Sequence, residues 1–180
     1  MRLSQLIRKI KDCLFGAKSP ARIMEERIEA LRRRGVRIGE DCRLYTTSFS
    51  TEPYLVELGN RVAISGDVKF ITHDASVWLI RPKRPRAQVF GRICVGDGTF
   101  IGESCLILPG TTIGAGCVIA AGSVVRGNIP DNSIAIGNPA RVVGRASLLK
   151  STHERLNMVL DTRHLPEPER EAAIRRHFGL

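Results

Sequence analysis

VGDGTFIGESCLILPGTTIGAGCVIAAGSVV, residues 95–125, carries an aliphatic residue at Val95, Ile101, Ile107, Ile113, Ile119 and Val125, every six positions without a slip. An α-helix advances about 600° over six residues, so successive members of this series would point in different directions and no apolar face would form. A strand keeps positions of equal parity on one face and so permits the count. However, Gly96, Gly98, Gly102, Gly110, Gly114, Gly116 and Gly122 sit between the aliphatics, and glycine weakens a strand interior. The pattern fits very short strands separated by tight turns, each strand pointing one aliphatic inward. A fixed short repeat of this kind is the mark of a β-helix.

The positions between the aliphatics repeat as well. Gly98, Ser104, Gly110, Gly116, Gly122 and Asn128 occupy the third place after each aliphatic, which suits a corner where residues adopt positive φ. The next place holds Thr99, Cys105, Thr111, Cys117, Ser123 and then Ile129. Small side chains there can tuck beneath a corner and stack coil upon coil. Working backwards, Ile38 and Leu44 begin hexapeptides, and Leu58, Ile64 and Phe70 resume the count. The spacing from Leu44 to Leu58 exceeds two hexapeptides, which predicts a bulge or insertion between them.

These repeats, the motif ITHD at residues 71–74, and GNPAR at 137–141 following IPDNSIAI at 129–136 resemble the hexapeptide-repeat acyltransferases. Within that family the chain looks most like the sugar O-acetyltransferases of bacterial surface polysaccharide pathways, through the pairing of TEPYLVELG (51–59) with ITHDASVW (71–78). The resemblance covers residues 38–145. It implies a mainly β fold, a left-handed parallel β-helix of hexapeptide repeats with N-terminal and C-terminal helices, in which three hexapeptides make one coil. It further implies a homotrimer of parallel prisms with active sites between subunits.

The chain has 180 residues, 43% of them hydrophobic but only 5% aromatic, in keeping with a narrow prism filled by Ile, Val and Leu. Its formal net charge of +10 gives a surface that attracts anions. No nucleic-acid motif and no interleaved aromatic platform accompany that charge. The five cysteines, Cys13, Cys42, Cys94, Cys105 and Cys117, form no CxxC pair and suggest a reducing compartment. No long apolar run and no secretory signal pattern is present, so the expected location is the cytoplasm.

Three segments are expected: residues 1–35 as an N-terminal helical segment, 36–146 as the β-helix with an inserted loop at 75–92, and 147–180 as a helical tail. In residues 1–15, Leu3, Leu6, Ile7, Ile10 and Leu14 share one helical face, with Arg2, Arg8, Lys9 and Lys11 mostly elsewhere. Such a helix either packs on its own protein or lies on an anionic membrane. A second helix is expected from about Ala21 to Arg34, ended by Gly35. The tail reads as one helix from Ser147 to about Leu160, a turn at LPEPE, and a final helix ending near Phe178.

His73 is the only histidine within the repeats; His153, His164 and His177 lie in the tail. An imidazole titrates near neutrality, so it can serve as a base, or it can be a surface residue at a turn. The family resemblance makes it the general base that takes a proton from an acceptor hydroxyl, which then attacks the thioester of an acyl-CoA. Asp74 is a candidate for orienting the ring, beside Asp67, Glu57 or a backbone carbonyl. By resemblance, acetyl-CoA is the acyl donor. The backbone amides of Glu103 and Ala121 contact its pantetheine arm and thioester, and Phe100 flanks that arm. Arg126, Arg141 and Arg145 lie toward its phosphates, where Asn138 and Pro139 shape the chain's exit. In the loop, RPKRPR at 81–86 either grips an anionic acceptor, through Arg81 and Arg84, or is a solvated charged segment. Trp78 either stacks on a sugar ring or packs on a neighbour.

The reaction expected is O-acetylation of a sugar hydroxyl. N-acetylation of an amino sugar or sugar nucleotide uses the same base and thioester and stands as an alternative, as does a non-catalytic binding β-helix. No metal is expected: the zinc site of γ-type carbonic anhydrases, which use the same prism, needs three histidines, and only His73 lies in the repeats.

Overall fold

The computed structural model describes residues 19–80, 83 and 86–180. The predicted helix over residues 1–15 lies outside them, as do Arg81 and Arg84. Two units emerge: one ending at Ala146, the other spanning Ser147–Leu180.

The first unit is a prism with three walls of short parallel strands. One wall holds β1 (Arg37–Ile38), β4 (Val56–Leu58), β9 (Ile93–Val95), β12 (Thr112–Ile113) and β15 (Asn128–Ile129). The second holds β2 (Arg43–Leu44), β5 (Ala63–Ile64), β10 (Phe100–Ile101), β13 (Val118–Ile119) and β16 (Ser133–Gly137), to which β17 (Ala140–Arg145) adds antiparallel. The third holds β3 (Ser48–Phe49), β6 (Lys69–Phe70), β11 (Leu106–Ile107) and β14 (Val124–Val125). Phe100 lies opposite Val118 and Leu106 opposite Val124, so one coil is three hexapeptides.

The six-residue series is the core. Val95, Ile101, Ile107, Ile113, Ile119 and Val125 are all 3% exposed or less. Burying such a side chain contributes about 1.5–3 kcal/mol. The small corner residues Thr99, Cys105, Thr111, Cys117 and Ser123 are buried too. Their hydroxyls and thiols donate to carbonyls across or within the corner, as Thr99 Oγ1 to Gly114 O at 2.8 Å and Cys105 Sγ to Ala120 O at 3.1 Å. Burial pushes the thiols of Cys42, Cys105 and Cys117 up from their ordinary value, which keeps them protonated. Positive φ falls at Gly98, Ser104, Gly110, Gly116 and Gly122, as the spacing predicts. The sixth member departs: Gly127, at φ +81°, takes the left-handed conformation in place of Asn128, which joins β15. This shorter corner brings Ile129 into the core beside the others.

The irregular stretch between Leu44 and Leu58 contains β3 and a 3₁₀ turn at Pro53–Leu55. Here the prism does admit rings. Phe49 and Phe70 stack inside with centroids 4.5 Å apart and planes 9° from parallel.

Helix α1 (Pro20–Arg33), capped by the Ser19 side chain, closes the lower end with buried Leu31 and with Met24 and Ile28 against the core. Its arginines satisfy carbonyls of the first coil, an open sheet edge, that have no strand partner among the described residues. Arg27 donates to Leu44 O at 2.7 Å, and Arg32 to Ile38 O and Gly39 O at 2.9 and 3.0 Å.

In the second unit, α2 spans Ser147–Arg155, shorter than the helix expected to about Leu160. The chain turns at Asn157, which takes φ +52°. Helix α3 spans Glu167–Phe178 and ends at Gly179 in the left-handed conformation.

Candidate active site

His73 stands where the repeats are interrupted. It follows β6 at the corner between the third and first walls and begins a two-stranded antiparallel ribbon, β7 (His73–Asp74) with β8 (Val89–Phe90). Between them come a 3₁₀ helix at Ser76–Ile80 and, in the sequence, the basic stretch RPKRPR. The ribbon is pinned at its base: Gly91 N donates to Thr72 O at 2.8 Å. A Cβ on Gly91 would lie 2.3 Å from Gly110 N, so only glycine fits this close approach.

The imidazole is held by a carboxylate one coil below. His73 Nδ1 lies 2.8 Å from Glu52 Oε2, with the Ser50 and Thr51 hydroxyls at 3.4 Å. The same carboxylate accepts from Thr51 Oγ1 at 2.6 Å and from Thr72 Oγ1 at 2.8 Å. The Thr51 hydroxyl first, then Thr72 and His73, hold Glu52 below the ordinary carboxylate range. An anion there accepts from Nδ1–H, so the neutral ring takes the tautomer whose lone pair is on Nε2. The His73 side chain is 37% exposed and that of Glu52 16%.

Asp74 does not hold the ring. Its carboxylate accepts from Ser76 N at 2.9 Å and from the Ser76 hydroxyl at 2.5 Å. These bonds, Ser76 Oγ first, keep it below its usual range, and Arg126 reinforces them from 3.9 Å. The expectation for Asp74 is therefore corrected to Glu52: along a two-residue strand neighbouring side chains diverge, and the residue that faces His73 comes from the coil beneath. A register count reaches it. Phe49 lies opposite Phe70, and three residues on from each are Glu52 and His73. Arg126, expected toward the phosphates of CoA, lies on the edge of His73 and pairs with Asp74.

Glu103 and Ala121 occupy a different edge, the corner between the second and third walls, stacked one coil apart; Gly122 N donates to Glu103 O at 2.8 Å. At the corner after the first wall, the corresponding amides are capped by side chains. Glu40 N donates to Asn60 Oδ1 at 2.9 Å, Asn60 N to Asp97 Oδ1 and Ala115 N to Asp131 Oδ1, both at 2.8 Å. No Asx side chain among the described residues caps Glu103 or Ala121, and both residues are exposed. Their amides remain open to an external carbonyl oxygen. Phe100, 43% exposed, points outward from β10. Asn138 and Pro139 form the cis-peptide turn between β16 and β17. Arg141 and Arg145, both exposed on β17, pair with Ile136 and Ser133. Trp78, 67% exposed, lies on the 3₁₀ helix of the insertion. One chain thus brings together His73, Glu52, Asp74 and Arg126 on one edge and the open amides on another.

A family model described as bacterial transferase hexapeptide (six repeats) matches residues 95–127. Protein CapG of Staphylococcus aureus is 48% identical over 118 residues, which cover 64% of this chain and 69% of CapG. WbbJ of Escherichia coli (strain K12), named for O-acetyl transfer in lipopolysaccharide biosynthesis, is 45% identical over 62 residues. That match covers 34% of this chain and 32% of WbbJ. Among solved structures, a maltose O-acetyltransferase from Clostridium difficile 630 superposes with a TM-score of 0.52 at 25% identity, over 77% of this chain and 84% of that one. A galactoside acetyltransferase in complex with coenzyme A shares the fold at a TM-score of 0.52 and 23% identity, over 78% and 80% of the two chains. Hexapeptide coils, a prism of parallel walls and a near-half-identical relative of similar extent converge: the chain belongs to the hexapeptide-repeat transferases, acyltransferases built on a left-handed parallel β-helix.

Proposed function

We propose that the chain is an acetyl-CoA-dependent O-acetyltransferase acting on a sugar hydroxyl, with His73 as general base. The observation that carries this reading is the 2.8 Å contact between His73 Nδ1 and Glu52. Glu52 holds the ring and its tautomer, and Nε2 accepts the proton of the acceptor hydroxyl. The oxygen attacks the thioester carbonyl as its proton leaves. The resulting oxyanion needs fixed N–H donors. When it collapses, the C–S bond breaks and the thiolate of CoA takes the proton back from Nε2. The imidazolium formed in between is stabilised by the Glu52 anion.

The open amides of Glu103 and Ala121 support a binding track for the pantetheine arm, with Phe100 beside it and Arg141 and Arg145 toward the phosphates near Asn138 and Pro139. His73 and these amides lie on different edges, which supports a site shared between two copies of the chain in a homotrimer with three sites. Trp78, Arg81 and Arg84 of the insertion are the acceptor-side contacts. The relatives named for O-acetyl transfer favour oxygen over nitrogen as the nucleophile, and the reading places the enzyme in the cytoplasm, where acetyl-CoA is available.

The test is thiol release from acetyl-CoA with a panel of sugars, comparing wild type and His73→Ala, alongside sedimentation of the wild type. The expected result is sugar-dependent release by a trimer, lowered about 10²–10⁴-fold in the variant. Equal rates in the two proteins remove His73 as base, and an active monomer removes the shared site.

A further inference from the structure

The insertion places an aromatic ring beside the base. Phe90 pairs directly with His73 in the antiparallel ribbon, and directly opposed residues send their side chains to the same face. The two rings lie 6.1 Å apart, tilted by 54°. Phe90 is 49% exposed, so it neither fills the prism nor caps it. Its position is nevertheless sharply set. The next residue, Gly91, is held by Thr72 O and seated against the backbone of Pro109 and Gly110 with no room for a side chain. A ring half open to solvent, next to the anchored Gly91, is poorly explained by packing within the chain.

We propose that Phe90 is the acceptor platform of the site and that the acceptor is a pyranoside with one apolar C–H face. This rests on the reading of His73 as general base. A pyranose carries hydroxyls around its rim and C–H bonds on its faces. Laid on a flat ring, it covers apolar surface while a rim hydroxyl projects sideways to the neighbouring imidazole. A small hydroxyl-bearing acceptor such as serine has no such face and gains nothing from the platform. Phe90 is thus a specificity-determining residue, acting on acceptor binding rather than on proton transfer.

The experiment uses the full chain with acetyl-CoA and three kinds of probe: methyl β-galactopyranoside and methyl α-glucopyranoside, UDP-N-acetylglucosamine, and L-serine. Wild type, Phe90→Leu and Phe90→Tyr are compared by thiol release. Leucine keeps the apolar bulk and loses the flat face; tyrosine keeps the face. The expected result is transfer to at least one pyranoside and none to serine. In Phe90→Leu the pyranoside KM rises about tenfold, as expected for losing the stacking of the C–H face on a flat ring. The KM for acetyl-CoA moves far less, and Phe90→Tyr restores the pyranoside KM to within about twofold. An unchanged acceptor KM in Phe90→Leu overturns the proposal while the His73 mechanism stands, provided His73→Ala is silent. A change of sedimentation coefficient in Phe90→Leu also overturns it, since the ring then serves contact between copies. If wild type acetylates no sugar probe, the sugar acceptor of the proposed function falls, and the platform with it.

Discussion

Removing the carboxylate of Glu52 separates what it does for His73 from what His73 does by itself. One Glu52 oxygen accepts both from His73 Nδ1 and from Thr72 Oγ1 at 2.8 Å, and the other accepts from Thr51 Oγ1 at 2.6 Å. In Glu52→Gln the amide oxygen can keep the imidazole while the amide nitrogen turns toward Thr51. Geometry survives and only the charge is lost. Charge-assisted hydrogen bonds are roughly twice as strong as neutral ones, a difference of about 1–1.5 kcal/mol, so kcat should fall about tenfold. In Glu52→Ala the ring keeps only the Ser50 and Thr51 hydroxyls at 3.4 Å, beyond good hydrogen-bond length. Tautomer and orientation are then both released, and kcat should fall about 100-fold. The assay is thiol release at saturating acetyl-CoA, with His73→Ala as the floor. Because Glu52 acts through His73, the double variant should be no slower than His73→Ala. A Glu52→Ala enzyme with near-native kcat refutes the reasoning, and so does a double variant that loses the product of the two single effects.

Further outcomes follow from the scaffold. Ile113, 1% exposed, has a core neighbour in the coil below and another in the coil above; Ile113→Ala should cost about 3 kcal/mol, read as a lowered urea midpoint. Gly98 and Gly102 should respond differently to alanine. At Gly98 a Cβ meets open space and the strain of φ +66° costs about 1 kcal/mol. At Gly102 it lies 2.6 Å from Ala121 N, so Gly102→Ala should destabilise more and also raise the KM for acetyl-CoA. Asp97 is held below its usual range, first by the Asn60 amide and then by the Asn60 side chain. Its folded pKa is depressed, so its contribution is present above the ordinary carboxylate pKa and is lost as pH falls through the folded value. Wild type should therefore lose stability below about pH 4 more steeply than Asp97→Asn, as measured by urea midpoints across that range.

Much of the fold was legible in the residues because a β-helix is a local code. Every coil meets the same requirements, so the inward aliphatic, the positive-φ corner and the buried small residue recur at fixed spacing from Val95 to Val125. The code lapses where coil length changes. Gly127 replaces Asn128 at the last corner, and the step from Phe49 to Leu58, which carries the 3₁₀ turn at Pro53–Leu55, is longer than a hexapeptide. The proposed base, His73, was visible as the only histidine within the repeats, beside a long insertion.

What the amino-acid order determined by itself was the repeat, and with it the prism, its apolar axis and the edge on which His73 falls. Only the tertiary structure decided the partners. Residues stacked in adjacent coils touch although far apart in the chain, and an irregular coil shifts that register. The adjacent Asp74 therefore turns to Ser76 and Arg126, and Glu52, from the coil beneath, takes the ring. The same stacking leaves the amides of Glu103 and Ala121 without a side-chain cap and sets Phe90 across from His73, because which groups meet depends on how coils lie over one another and not on how near they are in sequence.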